Sequence, residues 1–163
     1  MKKHLLLVAV LLLLTGCSGK SDTTENITAS DIGINKSDAV YLSEITPEME
    51  EFKNVVDELL KENFEDYESY YDTDGALNID LAFDGIASEI VYAMNNSKQY
   101  QEDWNKMVEA LVVSNKSMLE TAQSFDIEKP VVIINIINDL NRNKIVFSIR
   151  NGDILYDVLK DKQ

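Results

Sequence analysis

One histidine, His4, and one cysteine, Cys17, occur in this chain of 163 residues. Both fall within the first seventeen positions, so the remainder has neither an imidazole nor a thiol. Without a base that works near neutral pH, Ser-His-Asp and Cys-His catalysis are excluded for that remainder. His- or Cys-ligated zinc, copper, iron–sulfur and haem sites are excluded with them. So is a disulfide, which needs two sulfurs. The chemistry left belongs to carboxylates, hydroxyls and lysines. Glu65, Asp66, Glu68, Asp72 and Asp74 crowd around Tyr67, Tyr70 and Tyr71, a cluster that could bind calcium or a cationic peptide. Calcium takes six to eight oxygens from a shaped loop. With Gly75 as the sixth loop residue, Tyr70 would be first and Leu81 twelfth, so the EF-hand pattern fails at both ends. The simpler expectation is a solvated helix end whose tyrosines half-cover the core. A carboxylate pair can hydrolyse glycosides, although a body of about 115 residues is small for a saccharide cleft. Ser114, Lys116 and Ser117 are the nearest approach to a Ser-Lys nucleophile and fall on ordinary helix surface. The glycines are single and spaced, so there is no phosphate loop. No catalytic residue, cofactor or metal site is expected, and the chain reads as a non-enzyme.

Charge narrows the partners. Fifteen Lys and Arg oppose 29 Asp and Glu, for a formal charge of −14. Arg142 and Arg150 are the only arginines. Nucleic-acid binding draws on cations that neutralise phosphates, and no basic stripe exists to supply them. Anionic headgroups are repelled on the same ground. Cationic partners are attracted, at a rate that falls as salt rises.

The elements that would position such chemistry begin with a targeting segment. Lys2 and Lys3 precede ten apolar residues, Leu5 to Leu14, and Leu14-Thr15-Gly16-Cys17 follows at once. Ten apolar residues cannot span a bilayer core, which takes ~20. Positive start, short apolar run and small residues describe a secretory signal peptide. The last four residues resemble the lipobox of bacterial lipoproteins. That resemblance implies cleavage between Gly16 and Cys17, diacylglycerylation of the Cys17 thiol, and an amino terminus that can carry a further acyl chain such as palmitate. Each buried methylene contributes ~0.8 kcal/mol, so two or three chains anchor stably. The expected organisation is a cleaved signal peptide over 1–16, a flexible tether over 17–45 and one domain over 46–160. The mature chain would have 147 residues and a charge of −16. Ser18 to about Ser43 is rich in Ser, Thr, Asp and Asn without sustained periodicity. A coil of that length spans roughly 25–30 Å root-mean-square. Val40-Tyr41-Leu42 could dock on the domain as a short strand.

Thr46-Pro47 is a helix start, and Met49, Phe52, Val55, Val56, Leu59, Leu60 and Phe64 line one face of a helix over 47–67. Leu77, Ile79, Leu81 and Phe83 alternate with Asn78, Asp80 and Ala82, predicting a strand; a helix from near 75 is the rival reading. A helix over 85–95 follows, with Asp84 able to cap it. The longest helix runs over 98–125, capped by Ser97. Val131 to Ile137 is a β-branched strand, 139–143 a loop, and Lys144 to Arg150 a strand. Asn151-Gly152 is a hairpin turn, from which Asp153 to Leu159 returns. These elements predict an α+β domain of order α-β-α-α-β-β-β, its helices on one face of a four-stranded sheet that ends in an antiparallel meander.

The tract Asn138-Asp139-Leu140-Asn141, with Phe147-Ser148-Ile149, Asn151-Gly152 and Tyr156-Asp157-Val158, is similar to the end of a small domain of secreted and lipid-anchored Firmicutes proteins. The likeness covers roughly 47–159 and implies this fold and Gram-positive surroundings, but no activity. The expected role is a non-catalytic binding or accessory module on the extracytoplasmic face of the cell membrane, its partner a protein, a peptide or a cell-wall component. The alternatives are a small-ligand receptor serving a transporter and a carboxylate-based cell-wall hydrolase.

Overall fold

The computed structural model describes residues 28–95 and 97–161. The expected signal peptide, Gly16, Cys17 and the expected tether up to residue 27 lie outside the described residues. The fold is α+β, with three helices and a mixed sheet of six strands among the described residues. Helix α1 (Pro47–Asn63) starts as expected: Thr46 Oγ1 accepts from the Met49 amide at 3.3 Å, and Pro47 takes the first turn, where no amide donor is needed. Met49, Phe52, Val56 and Leu60 are its buried stripe. It ends four residues before Tyr67. Phe64 turns extended and packs edge-on against Phe83, ring centroids 5.7 Å apart. That turn releases β2 (Tyr67–Tyr71), a strand where a helix end was expected.

Strand β3 (Leu77–Ala82) pairs antiparallel with β2 and parallel with β4 (Val132–Asn138). The parallel pairing needs a long crossover, supplied by α2 (Ile86–Met94) and α3 (Lys98–Gln123). Strand β5 (Asn141–Arg150) pairs antiparallel with β4, in regular register from Phe147 to Arg150 and with register shifts at the Ile136–Asn138 end. Its other edge is shared by β6 (Asp153–Asp157) and by β1 (Ile34–Asn35), which pairs at Lys144 and Ile145. The four-stranded sheet expected from sequence is therefore corrected to six strands, and β5 starts three residues early. The C-terminal antiparallel meander is present.

Part of the stretch expected as a tether, from residue 29 to 42, lies against the domain. Asn138, fully buried, donates from Nδ2 to the carbonyls of Ala29 (2.8 Å) and Ile32 (3.0 Å) and accepts from the amides of Leu140 and Asn141. Asn141 adds a bond to the Ser30 carbonyl. This clasp fixes a short 3-10 turn (Ala29–Asp31) and places Ile32, 0% exposed, in the hydrophobic core. Gly33, at φ +107°, has room for no side chain: an added Cβ would sit 2.4 Å from the Ile145 carbonyl oxygen. The docking expected of 40–42 is there as a bridge from Tyr41 to Asp72 and a bond from the Leu42 amide to the Tyr71 carbonyl. No described helix is long and apolar enough to cross a membrane.

Candidate functional site

Residues that pair across strands share a face, and the register sorts the sheet into two surfaces. One presents the rows Tyr67–Leu81–Ile136–Phe147 and Ser69–Ile79–Ile134–Ile149. Helices α1 and α3 bond to this surface. Ser69 Oγ donates to Asp57, Trp104 stands edge-on to Phe147, and Asn115 Nδ2 donates to the Val132 carbonyl at 3.0 Å. The opposite surface has a polar row through five strands: Glu68, Asp80, Asn135, Ser148 and Tyr156.

The three middle members of that row are hydrogen-bonded in sequence. Ser148 Oγ donates to Asn135 Oδ1 at 2.7 Å, and Asn135 Nδ2 donates to Asp80 Oδ1 at 2.8 Å. Asp80 is 4% exposed in the centre of the sheet. A carboxylate that deep needs a counter-charge, and it comes from the N-terminal segment. Lys36 Nζ lies 2.5 Å from Asp80 Oδ2, 3.6 Å from Glu68, and 5.8 Å from the centre of the Tyr70 ring. Residues 36–42 thus cross this face, from the β1 edge to the β2 edge. Tyr41 completes the crossing, its ring edge-on to Tyr70 at 5.2 Å and its hydroxyl donating to Glu68 at 3.0 Å. Burial is the largest single influence on Lys36 and opposes its charge, but the hydrogen bond to Asp80 and the charges of Asp80, Tyr70 and Glu68 together outweigh it and raise the ammonium above the ordinary lysine range. Burial and the neighbouring Asp80 charge push the Tyr70 hydroxyl up to about 12. The site holds a cation between carboxylates and aromatic rings. Ser148 spends its proton on an amide oxygen, so the arrangement contains no activated nucleophile.

The acidic, tyrosine-rich stretch singled out from sequence does not converge. Asp66 pairs with Arg142, whose guanidinium holds that carboxyl below its usual range. Glu68 turns to Lys36 and Tyr41. Asp72 shapes the β2–β3 turn, accepting from the amides of Asp74 and Ala76 and from Asn78. Among the described residues no three such side chains group as metal ligands. Ser114, Lys116 and Ser117 do not form a dyad. Ser114 is buried toward Leu111 and Met118, while Lys116, two residues on, lies along the opposite side of α3 over Gly152. Beside Ser114 an apolar crevice opens between α1, α3 and the sheet, lined by Leu59, Phe64, Leu81, Leu111 and Met118.

The tract 138–158 does structural work throughout. Asp139 Oδ1 and Oδ2 cap α2 by accepting from the amides of Ala87 (3.0 Å) and Gly85 (2.8 Å), which corrects the expected cap at Asp84. Ser97 is the N-cap of α3 by position but makes no side-chain cap bond. Asn151 Oδ1 accepts from the Val132 amide, and the Gly152 amide donates to the buried Asn115. Asp157 accepts from Trp104 Nε1 at 3.0 Å and pairs with Lys160.

The polar row was missed in the sequence because no single strand shows it: Asn135 is a lone break in an apolar run, while Glu68, Asp80 and Ser148 lie among other polar residues of their strands. Only register aligns them. No protein-family model, curated protein or solved structure matches the chain.

Proposed function

We propose that this chain is a lipid-anchored, non-enzymatic binding module on the extracytoplasmic face of a bacterial, Gram-positive membrane, held by acyl chains on Cys17. The observation that carries this reading is Leu14-Thr15-Gly16-Cys17 directly after a ten-residue apolar run, with the only cysteine at the expected cut. The docked N-terminal segment is compatible with it. Eleven peptide units join Cys17 to Thr28 and reach at most about 40 Å, which keeps the domain near the bilayer surface. The surplus of acid repels anionic headgroups and steers cationic partners toward the domain. A Cys17→Ala variant should leave the membrane fraction for the soluble extracytoplasmic one; equal membrane retention would refute the anchor. Cross-linking on intact cells, with identification of the neighbours, should return cationic partners.

A second reading, a small-ligand receptor serving a transporter, is favoured by the apolar crevice between α1 and α3. An apolar fluorophore should then bind in the crevice and be displaced when Met118 is replaced by Trp; a titration without binding removes that reading.

A further inference from the structure

The cation seated on the polar row belongs to the chain itself: the backbone of its segment is pinned at Lys36, whose amide donates to the Asn143 carbonyl at 2.7 Å, and at Leu42, whose amide donates to the Tyr71 carbonyl, with exposed coil between. Lys36 belongs to the crossing segment. Ser37, Asp38 and Val40, just beyond it, are exposed coil, and Tyr41 is 57% exposed. What is inserted is the lysine side chain and one ring edge. What receives them belongs to the sheet: Asp80, Glu68 and Tyr70, with Asn135 and Ser148 fixing the floor.

The receiving atoms also define what fits. Asp80 Oδ1 is already taken by Asn135 Nδ2, so only Oδ2 faces the ligand. A guanidinium seeks both oxygens of one carboxylate in a planar fork, which this site denies. An ammonium is a point charge with three donors. It can meet one oxygen of Asp80, a second carboxylate at Glu68 and the face of Tyr70 together. A divalent ion would find too few free oxygens.

We infer that the group of Asp80, Glu68 and Tyr70 beneath residues 36–41 is a primary-ammonium site, occupied in this structure by Lys36 as the chain's own ligand, and that a lysine side chain of a cationic protein partner displaces Lys36 to bind there. The inference rests on the binding-module reading and names its site. A built-in ligand lowers apparent affinity by the fraction of time it occupies the site, so weak free amines are refused while a partner that also engages the acidic surface is admitted.

The test uses the whole chain and n-butylammonium as the probe. In Lys36→Ala, the probe should raise Tm saturably and bind at least about tenfold more tightly than to wild type, the factor expected if Lys36 closes the site about nine-tenths of the time. Butylguanidinium and sodium at equal ionic strength should not reproduce the rise, and Lys36→Ala with Asp80→Asn should abolish it. Equal responses in wild type and Lys36→Ala, or an equal response to sodium, overturn the inference. Should Lys36→Ala fail to fold, Lys36→Met keeps the stem. Wild type offers an independent readout, since an oligolysine peptide should accelerate hydrogen exchange across 36–42 and leave 77–82 protected. Oligolysine binding that is equal in wild type, Lys36→Met and Asp80→Asn overturns the ammonium site but leaves the binding module standing. The anchor is tested separately at Cys17.

Discussion

Replacing Asn138 should release the N-terminal segment from the domain. The side chain makes four hydrogen bonds: two as donor to the carbonyls of Ala29 and Ile32, two as acceptor from the amides of Leu140 and Asn141. Each contributes about 0.5–1.5 kcal/mol net. The Ile32 and Asn138 side chains are fully buried, but Ala29 and Asn141 are half-exposed, so water recovers part of the loss. Asn138→Ala should therefore cost roughly 2–4 kcal/mol, a fall of about 10 °C in Tm for a domain of this size. Asn138→Asp separates the two halves of the clasp. It keeps both acceptor bonds to the turn but sets a carboxylate against two carbonyls. Hydrogen exchange should then rise across 29–36, where the Lys36 amide donates to Asn143 at 2.7 Å, and stay slow in α3. An Asn138→Ala chain within about 0.5 kcal/mol of wild type, the range of ordinary surface changes, or unchanged exchange across 29–36 in Asn138→Asp, would refute the clasp.

Other consequences can be measured on the same domain. Asp139→Ala removes both cap bonds of α2 and should cost about 1 kcal/mol, read as a lower urea midpoint with an unchanged slope. Asp157→Ala deprives the single tryptophan of its Nε1 partner and the Leu159 amide of its acceptor; a loss of roughly 3 kcal/mol should come with red-shifted Trp104 emission, and a native emission spectrum would contradict the contact. In alkali, Tyr70 should titrate near 12, above the ordinary tyrosine value of about 10. Its proton is held more tightly in the folded state, so this contribution to stability is full below pH 10 and fades as pH rises through about 12. Tyrosinate absorbance of wild type against Tyr70→Phe checks the assignment.

How much of this was legible depended on where each signal resides. Periodicity revealed α1, α2, α3 and β3 because each places a continuous apolar stripe against the core, and Asn151-Gly152 revealed the last hairpin because a residue at φ +51° followed by glycine at +89° suits few other pairs. β2 was hidden by composition. Tyr67-Glu68-Ser69-Tyr70-Tyr71 does not alternate strictly, and as an edge strand its polar side chains resemble a solvated helix end. β1 is two residues long and formed by contacts with distant chain, so no local pattern announces it. The cap at Asp139 lies 54 residues from Gly85, and the clasp at Asn138 lies 109 from Ala29. Sequence windows do not see such bonds.

The candidate site was the least legible part for the same reason. Lys36 reads as one lysine in a polar stretch, and Asn135 as an interruption in Val-Ile-Ile-Asn-Ile-Ile. The parallel register of β3 against β4 brings Asp80 beside Asn135, and the antiparallel register of β5 brings Ser148 beside it. Conversely, the acidic cluster that drew notice in the sequence is dispersed by its strand: Asp66, Glu68 and Asp72 serve an arginine, a lysine and a turn.

The central claim concerns the sulfur of Cys17, and intact-mass analysis of the exported protein addresses it most directly. A chain beginning at Cys17 and heavier than its 147 residues by a diacylglyceryl group, with or without an amide-linked acyl chain, is the predicted result. A free thiol on the exported chain, or a precursor that retains residues 1–16, would contradict it.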